Sequence, residues 1–243
     1  MRMIVIGAGH AGVEAALAGA RMGCETILLT MDEHRIAIMN CNPSVGGPAK
    51  GIVVREIDAL GGQMGITADR TALQFKMLNT NKGPGVHCLR VQSDKVAYSN
   101  MMDEVVHTTP NLFVKQGLAE KILIENGIAT GVLLQSGEVL KADAVVLTSG
   151  TYMSSKILVG STATLSGPEG QPTTKDLSQS LRDAGLKTFR LKTGTPPRIK
   201  TASIDFTQGV IQPGDEDFIH FSLDFPQEMY PKEQVPCYLI YTQ

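Results

Sequence analysis

The sequence predicts an α/β fold, in which a Rossmann-like dinucleotide-binding domain with a β-meander precedes the start of an inserted α/β domain. The first thirty residues have the pattern strand, glycine turn, helix, strand. Residues 112–148 contain short strand patterns, three of them separated by the turn dipeptides Asn126-Gly127 and Ser136-Gly137. From residue 199 onward acidic side chains outnumber basic ones. We therefore predict a first domain over 1–198 and the beginning of a second over 199–243.

The composition restricts the class of protein. A chain of 243 residues with 42% hydrophobic and 19% charged residues is typical of a globular fold with a packed core. The net charge of −2 provides no general attraction to nucleic acid, so RNA binding would require a local basic patch. The four cysteines are widely spaced, which argues against a metal site and a disulfide framework and favours a reducing compartment.

Targeting features are also absent from the sequence pattern. A strand begins at Met3, which leaves no room for a signal peptide. No apolar run approaches the ~20 residues that a membrane span requires. We therefore expect a cytoplasmic protein with no membrane contact.

Local patterns predict the individual elements. Residues 3–6 and 25–30 are β-prone, and the helix between them, 11–22, is rich in good helix formers and is followed by Gly23, a typical C′ residue. Further helices are expected over 52–60, 69–78 and 93–107, the last of them capped by Ser93. Further strands are expected over 112–114, 119–124, 130–135, 144–148 and 235–241.

The glycine turn after the first strand is the clearest functional motif. Its residues, Gly7-Ala8-Gly9-His10-Ala11-Gly12, fit the pattern G-x-G-x-x-G between a strand and a helix. The first glycine permits a tight turn, the second lets the backbone approach a pyrophosphate, and the third lets the helix pack closely on the strand. Free N–H groups and the helix dipole favour phosphate at this position. The turn therefore predicts dinucleotide binding.

The order of elements favours FAD over NAD. A ribose-binding acid should follow the second strand, and Asp32 and Glu33 lie there, although solvated loop charges are the commoner role of such residues. A βαβ unit, a later β-meander and a strand ending at Thr148-Ser149-Gly150 resemble the FAD-binding domain of glutathione-reductase-like flavoproteins. In that group the last strand ends beside the flavin ribityl chain.

Cys41 lies in a second unusual stretch, residues 40–51, which is rich in glycine and proline. A thiolate is the reactive form of cysteine, and cations such as Lys50 and Arg55 would stabilise it. An inert buried cysteine is the other interpretation, and residue chemistry alone does not separate the two.

Two basic stretches are candidate phosphate-binding surfaces. A solvated charged face is the alternative for both. The first stretch comprises Lys187, Arg190, Lys192, Arg198 and Lys200, and the second comprises Lys76, Lys82, Arg90 and Lys95.

These stretches together closely resemble the GidA/MnmG family of tRNA-modifying flavoproteins. The resemblance rests on residues 7–16 (GAGHAGVEAA), 40–51 (NCNPSVGGPAKG), 55–65 (REIDALGGQMG), 82–86 (KGPGV), 192–199 (KTGTPPRI) and 235–238 (VPCY). The related folate- and FAD-dependent tRNA uracil methyltransferase TrmFO shares the flavin fold. The cysteine loop and residues 192–199 resemble GidA/MnmG more than that relative.

The resemblance implies an enzyme that installs an aminomethyl-type group, such as carboxymethylaminomethyl, at C5 of the wobble uridine of tRNA. It implies FAD, NADH and methylene-tetrahydrofolate as cofactors, glycine or ammonium as amine source, an MnmE-type GTPase as partner, and a homodimer. Carried over by position, Gly7 to Gly12 would hold the FAD pyrophosphate, Ala119 would offer its backbone to the adenine side, and Thr174 would lie beside the cofactor. Cys41 matches a functionally implicated cysteine and is the predicted catalytic residue.

Two other function classes remain open from the sequence. One is an FAD-dependent oxidoreductase acting on a small molecule, and the other is a non-catalytic RNA-binding module that keeps the nucleotide fold. Because members of the family are much longer than 243 residues, we expect an amino-terminal part that is inactive alone.

Overall fold

The computed structural model describes residues 1–174, 176–194 and 196–241. Helices α1 to α5 are His10–Arg21, Lys50–Ala59, Met64–Arg70, Lys95–Thr108 and Leu177–Asp183. Strands β1 to β7 are Arg2–Ile6, Glu25–Thr30, Ser44–Gly46, Ala72–Leu78, Cys88–Ser93, Leu112–Gln116 and Ala119–Glu125. Strands β8 to β14 are Ile128–Leu134, Val139–Lys141, Ala144–Leu147, Lys156–Val159, Thr162–Leu165, Val210–Gln212 and Cys237–Leu239.

The chain forms two compact units, each built from two separate segments. The first unit comprises Met1–Ile38 and Met102–Lys192, and the second comprises Met39–Met101 and Thr193–Gln243. The predicted domain division after residue 198 stays a prediction.

A parallel sheet in the order β10-β1-β2-β6 organises the first unit. Side chains of β1 alternate between its two faces. Met3 touches α1 near Gly19, whereas Ile4 and Ile6 join a buried apolar cluster on the opposite face. That cluster is completed by Leu29, Ala119, Val132, Leu134 and Leu177. Helix α1 and the antiparallel meander β7-β8-β9 therefore cover opposite faces of the sheet, as the predicted α/β fold class requires.

The second unit contains the antiparallel sheet β3-β5-β4 and the hairpin formed by β13 and β14. Alternate residues of β4 and β5 point to one apolar face, where Phe75, Leu89 and Val91 are buried. Polar side chains occupy the opposite face, among them Gln74 and Arg90.

Two predictions of local structure are wrong. The helix expected over 69–78 is strand β4, because Phe75 and Met77 alternate with polar residues and pair with β5. The cap of α4 is Asp94 and not Ser93: the Asp94 carboxylate accepts the N–H groups of Val96 and Ala97 at 2.9 and 3.0 Å. The Ser93 hydroxyl instead donates to the carbonyl of Ala68.

Candidate functional site

The glycine turn is fixed from two sides. Gly7 has φ of +106°, a conformation that strongly favours glycine, and its N–H donates to the Leu29 carbonyl at 2.8 Å. A Cβ at Gly7 would lie 2.5 Å from the carbonyl oxygen of Thr148. The Thr148 hydroxyl is shared between the carbonyls of Ile6 and Gly7, at 2.8 and 3.0 Å. The end of β10 therefore clamps the turn that follows β1.

Gly12 and Gly9 have different surroundings. A Cβ at Gly12 would overlap the Gly7 carbonyl oxygen and lie 2.7 Å from the Thr148 hydroxyl. A Cβ at Gly9 would meet no atom within 4 Å. Gly9 is the N-cap of α1, and no side-chain hydrogen bond caps that helix. An open backbone at an uncapped helix start fits a pyrophosphate.

The remaining residues of the turn have distinct environments. Ala8 is buried, and its carbonyl accepts the N–H of Ala37 at 2.8 Å. Burial lowers the pKa of His10, so its imidazole is neutral at pH 7. Ala11 is exposed at the first turn of α1.

Ala119 begins β7, close to the end of β2, and the family resemblance implies that its backbone contacts the adenine side of the cofactor. The N–H of Gly117 donates to the Thr30 carbonyl at 2.7 Å, which joins the start of the meander to the second strand. The Ala119 side chain is buried in the apolar cluster, and the residue pairs with Leu134 in the meander. Its contact with adenine stays a prediction.

Asp32 lies next to this region. Its carboxylate accepts the N–H of His34 at 3.0 Å, and its carbonyl accepts the Thr30 hydroxyl at 3.1 Å. One carboxylate oxygen of Asp32 therefore closes a local turn after β2.

Thr174 lies beside the segment that follows β10. Its N–H donates to the Tyr152 carbonyl at 3.1 Å, and its own carbonyl accepts the N–H of Ser154 at 2.8 Å. Because Tyr152 follows Thr148 by four residues, these bonds connect Thr174 to the strand that clamps the glycine turn. Its predicted place beside a cofactor stays a prediction.

Cys41 is exposed, which favours the reactive interpretation over the buried inert one. Arg198 donates to its carbonyl oxygen at 2.6 Å. The two residues are 157 positions apart. Nothing in the sequence indicated this contact beyond the position of Arg198 in a basic stretch. Of the two cations predicted to surround Cys41, Arg55 donates to the carbonyl of His220 at 3.0 Å.

The loop after Cys41 is held against β5. The Pro43 carbonyl accepts the N–H of Ser93, and the N–H of Gly47 donates to the Leu89 carbonyl at 2.7 Å. Gly46 has φ of +91°, and a Cβ there would overlap the same Leu89 carbonyl. These contacts explain why the loop is rich in glycine.

The two basic stretches have different structures. Every described residue over 187–200 is exposed and lies outside regular elements, and Thr195 lies outside the described residues. In the second stretch Lys76 forms an ion pair with Asp215 at 2.6 Å, and Arg90 donates to glutamine side chains. Lys82 and Lys95 of the second stretch are exposed, so both stretches present cations at the surface, the first with all five and the second with two of its four.

The potential metal ligands of the described residues are dispersed. Their His, Cys, Asp and Glu side chains form no group of three or more that could hold a metal ion. No helix within the described ranges is long and apolar enough to span a bilayer.

Comparison with known proteins gives consistent matches. A family model described as glucose inhibited division protein A matches residues 2–243. The tRNA uridine 5-carboxymethylaminomethyl modification enzyme MnmG of Lacticaseibacillus paracasei is 52% identical over 240 residues, which cover 99% of this chain and 38% of that protein. MnmG of Bacillus subtilis is 50% identical with the same coverage. The chain thus spans less than two fifths of the length of these curated relatives.

Solved structures agree with the fold described above. Aquifex aeolicus GidA superposes with a TM-score of 0.92 at 43% identity, covering 98% of this chain and 40% of that one. The GidA-related protein from Thermus thermophilus has a TM-score of 0.54 at 18% identity, covering 74% of this chain and 67% of that one, which shows a shared fold alone.

Proposed function

Since the chain belongs to the glucose inhibited division protein A (GidA/MnmG) family, we propose that it is the FAD-binding part of a tRNA-modifying enzyme. The enzyme adds a carboxymethylaminomethyl-type group to C5 of the wobble uridine. The observation that carries this proposal is the glycine turn, whose open backbone at Gly9 fits a pyrophosphate.

The cofactor roles follow the arrangement of the first unit. The turn from Gly7 to Gly12 holds the pyrophosphate of FAD through backbone N–H groups at the start of α1, and the backbone of Ala119 contacts its adenine side. Thr174 supports the segment after β10, beside the ribityl chain. Bound FAD supplies the redox chemistry of the reaction. NADH, methylene-tetrahydrofolate, an MnmE-type GTPase and a second subunit complete the proposed cytoplasmic enzyme.

Cys41 is the proposed nucleophile. Its thiolate forms a bond to C6 of the uracil, which moves the π electron pair towards C5 and makes that carbon nucleophilic. C5 would then bond to the electrophilic carbon of the one-carbon donor, and loss of the C5 proton with cleavage of the bond between C6 and sulfur would release the thiolate and restore the double bond. The exposure of Cys41 allows an RNA base to reach its sulfur.

Replacement of Cys41 tests the whole proposal. A full-length protein of this family that carries this chain as its matching part is expressed in cells that lack their own enzyme of the family, and the wobble nucleosides of their tRNA are measured by mass spectrometry. We expect this protein to restore the modification and its Cys41→Ser variant to lower it by about 10²-fold or more.

Cys24→Ala is the control for loss of a cysteine, because Cys24 is buried and lies in the other unit. Wild-type levels of modification with Cys41→Ser would remove the proposed nucleophile. No restoration by the full-length protein with Cys41 intact would remove the proposed function.

Thr148→Val is expected to weaken FAD binding by about five- to tenfold and to lower the free energy of unfolding by about 1 kcal/mol. Valine has the shape of threonine without the hydroxyl that holds the carbonyls of Ile6 and Gly7. Titration of the chain with FAD measures the affinity. Thr148→Ser keeps the hydroxyl and should retain most of the affinity, so equal losses in both variants would contradict the clamp.

A further inference from the structure

The polar face of the sheet β3-β5-β4 contains an arginine that has no counter-ion among the described residues. Arg90 is half-buried in the central strand β5. One nitrogen, Nη2, donates to the side-chain oxygens of Gln74 at 3.3 Å and Gln212 at 3.1 Å. Its Nε is shut off from water and has no hydrogen-bond partner among the described residues. No carboxylate of the described ranges forms an ion pair with Arg90.

The acceptors around Arg90 are fixed in place. Gln74 is fully buried, and its Nε2 donates to the carbonyls of Gln212 and Val235 at 3.0 Å each. The thiol of Cys237 donates to the Gln74 Oε1 at 3.5 Å, and Gln92 donates to the same sulfur at 3.7 Å. The guanidinium is therefore held by neutral side chains, which are fixed in place and carry no charge to compensate its own.

Among the described residues, the positive charge of the Arg90 guanidinium is not compensated by a neighbouring negative charge. Lys76 is its cross-strand neighbour, but the Lys76 ammonium is paired with Asp215 at 2.6 Å. A partly buried charge without a partner is unfavourable, and a planar guanidinium matches a carboxylate or phosphate oxyanion in geometry. A phosphate monoester or free phosphate carries a charge of about −1.5 to −2 at pH 7, which exceeds the single positive charge here. The site therefore matches a singly charged oxyanion, such as a carboxylate, best.

The position of Arg90 connects this site to the cysteine loop. Arg90 lies directly opposite Gly46 in the register of β5 and β3. Gly46 follows Cys41 by five positions in the same loop, within the same compact unit. A ligand at Arg90 therefore lies on the sheet that supports the proposed nucleophile.

The relatives named above install a carboxymethylamino group, which has a carboxylate at one end and a nitrogen at the other. We propose that Arg90 binds the carboxylate of the amine donor, a small amino acid such as glycine, a group that ammonium and simple amines lack. The inference rests on the proposed function and identifies Arg90 as the residue that recognises the carboxylate.

Equilibrium dialysis with radiolabelled glycine tests the inference on the full chain. We expect glycine to bind the natural sequence and Arg90→Gln to weaken that binding by about 10- to 100-fold, the loss of a charge-assisted contact. Arg90→Lys keeps the charge without the planar fork and should fall between the two. Unlabelled acetate should displace glycine, whereas methylamine and inorganic phosphate at equal concentration should not.

Lys76→Gln is the matched control, because it removes a neighbouring cation that Asp215 already neutralises. Glycine affinity should stay within about twofold of the natural value in this variant. Circular dichroism on every variant shows that the fold is kept, and if Arg90→Gln unfolds, Arg90→Lys provides the comparison. Absence of glycine binding to the natural sequence, equal displacement by methylamine, or unchanged binding in folded Arg90 variants would overturn the inference.

Flavin content of the same preparations separates the two proposals. A chain that binds FAD but shows no glycine binding would contradict the carboxylate site alone. Folded chains that cannot hold FAD contradict the proposed function, whatever their affinity for glycine.

Discussion

Gly12→Ala is expected to abolish FAD binding by unfolding the glycine turn. A methyl group at this position would overlap the Gly7 carbonyl oxygen, a backbone atom that cannot turn away, and would crowd the Thr148 hydroxyl. Such overpacking against backbone costs more than about 3 kcal/mol. In a chain of this size that corresponds to a decrease of about 10 °C in the midpoint of thermal unfolding.

Gly9→Ala is the matched comparison, because it adds the same methyl group to the same turn. Gly9 has φ of −74°, which alanine adopts without strain, and the added methyl group would meet no protein atom within 4 Å. We expect an unchanged unfolding midpoint but a loss of FAD affinity of about tenfold or more, because the methyl group occupies the space proposed for the pyrophosphate. Equal FAD affinity in Gly9→Ala and the natural chain would contradict the placement of the cofactor.

Asp69→Ala is expected to lower the free energy of unfolding by about 2–4 kcal/mol. The Asp69 carboxylate is 2% exposed and accepts the N–H groups of Phe221, at 2.9 and 3.0 Å, and of Ser222, at 2.7 Å. Alanine would leave two backbone donors without an acceptor in a buried position. These bonds attach residues 221–222 to α3, so their loss should destabilise the second unit.

The same carboxylate predicts a pH dependence of stability. Burial raises the pKa of Asp69 to about 7 from an ordinary 3.8, with a smaller contribution from the charge of Asp58, against the opposing effect of the two N–H groups and Arg55. The folded chain therefore holds this proton more tightly than the unfolded chain. The stabilisation is complete below pH 3.8 and is lost as the pH rises through about 7.

Asp69→Asn isolates this effect, because asparagine keeps one acceptor oxygen and does not titrate. The difference in unfolding free energy between the natural chain and Asp69→Asn, measured by urea denaturation, should decrease from about pH 5 to about pH 8. The slope for one proton is at most about 1.4 kcal/mol per pH unit. A constant difference across this range would show that Asp69 titrates normally.

Features that depend on neighbouring residues in the chain were predictable from the sequence. The turn from Gly7 to Gly12 and the helix after it follow from glycine spacing and helix propensity, and the structure confirms both. The meander was predictable because Asn126-Gly127 and Ser136-Gly137 mark its turns. The pairing of β10 with β1 links distant segments, and it was predictable only because the strand fits a known order of elements.

Strand β4 shows where local preference fails. Alanine, leucine, glutamine, lysine and methionine dominate its sequence, and all are good helix formers. Pairing with β5 from Leu78 to Ala72 overrides that preference.

The contacts that define the second unit were not predictable. Arg198 meets Cys41 across 157 positions, Ser222 meets Asp69 across 153, and Gln212 meets Arg90 across 122. A single sequence carries no local pattern for such pairs, because their geometry depends on how separate segments fold together. This is why the sequence identified Cys41 and yet missed its contact with Arg198.

The visible spectrum of the purified chain, followed by mass identification of any released nucleotide, tests the central claim most directly. We expect a flavin spectrum and about one equivalent of FAD per folded chain, after purification or after incubation with FAD. A chain that is folded by circular dichroism but takes up no FAD would contradict the account of the glycine turn.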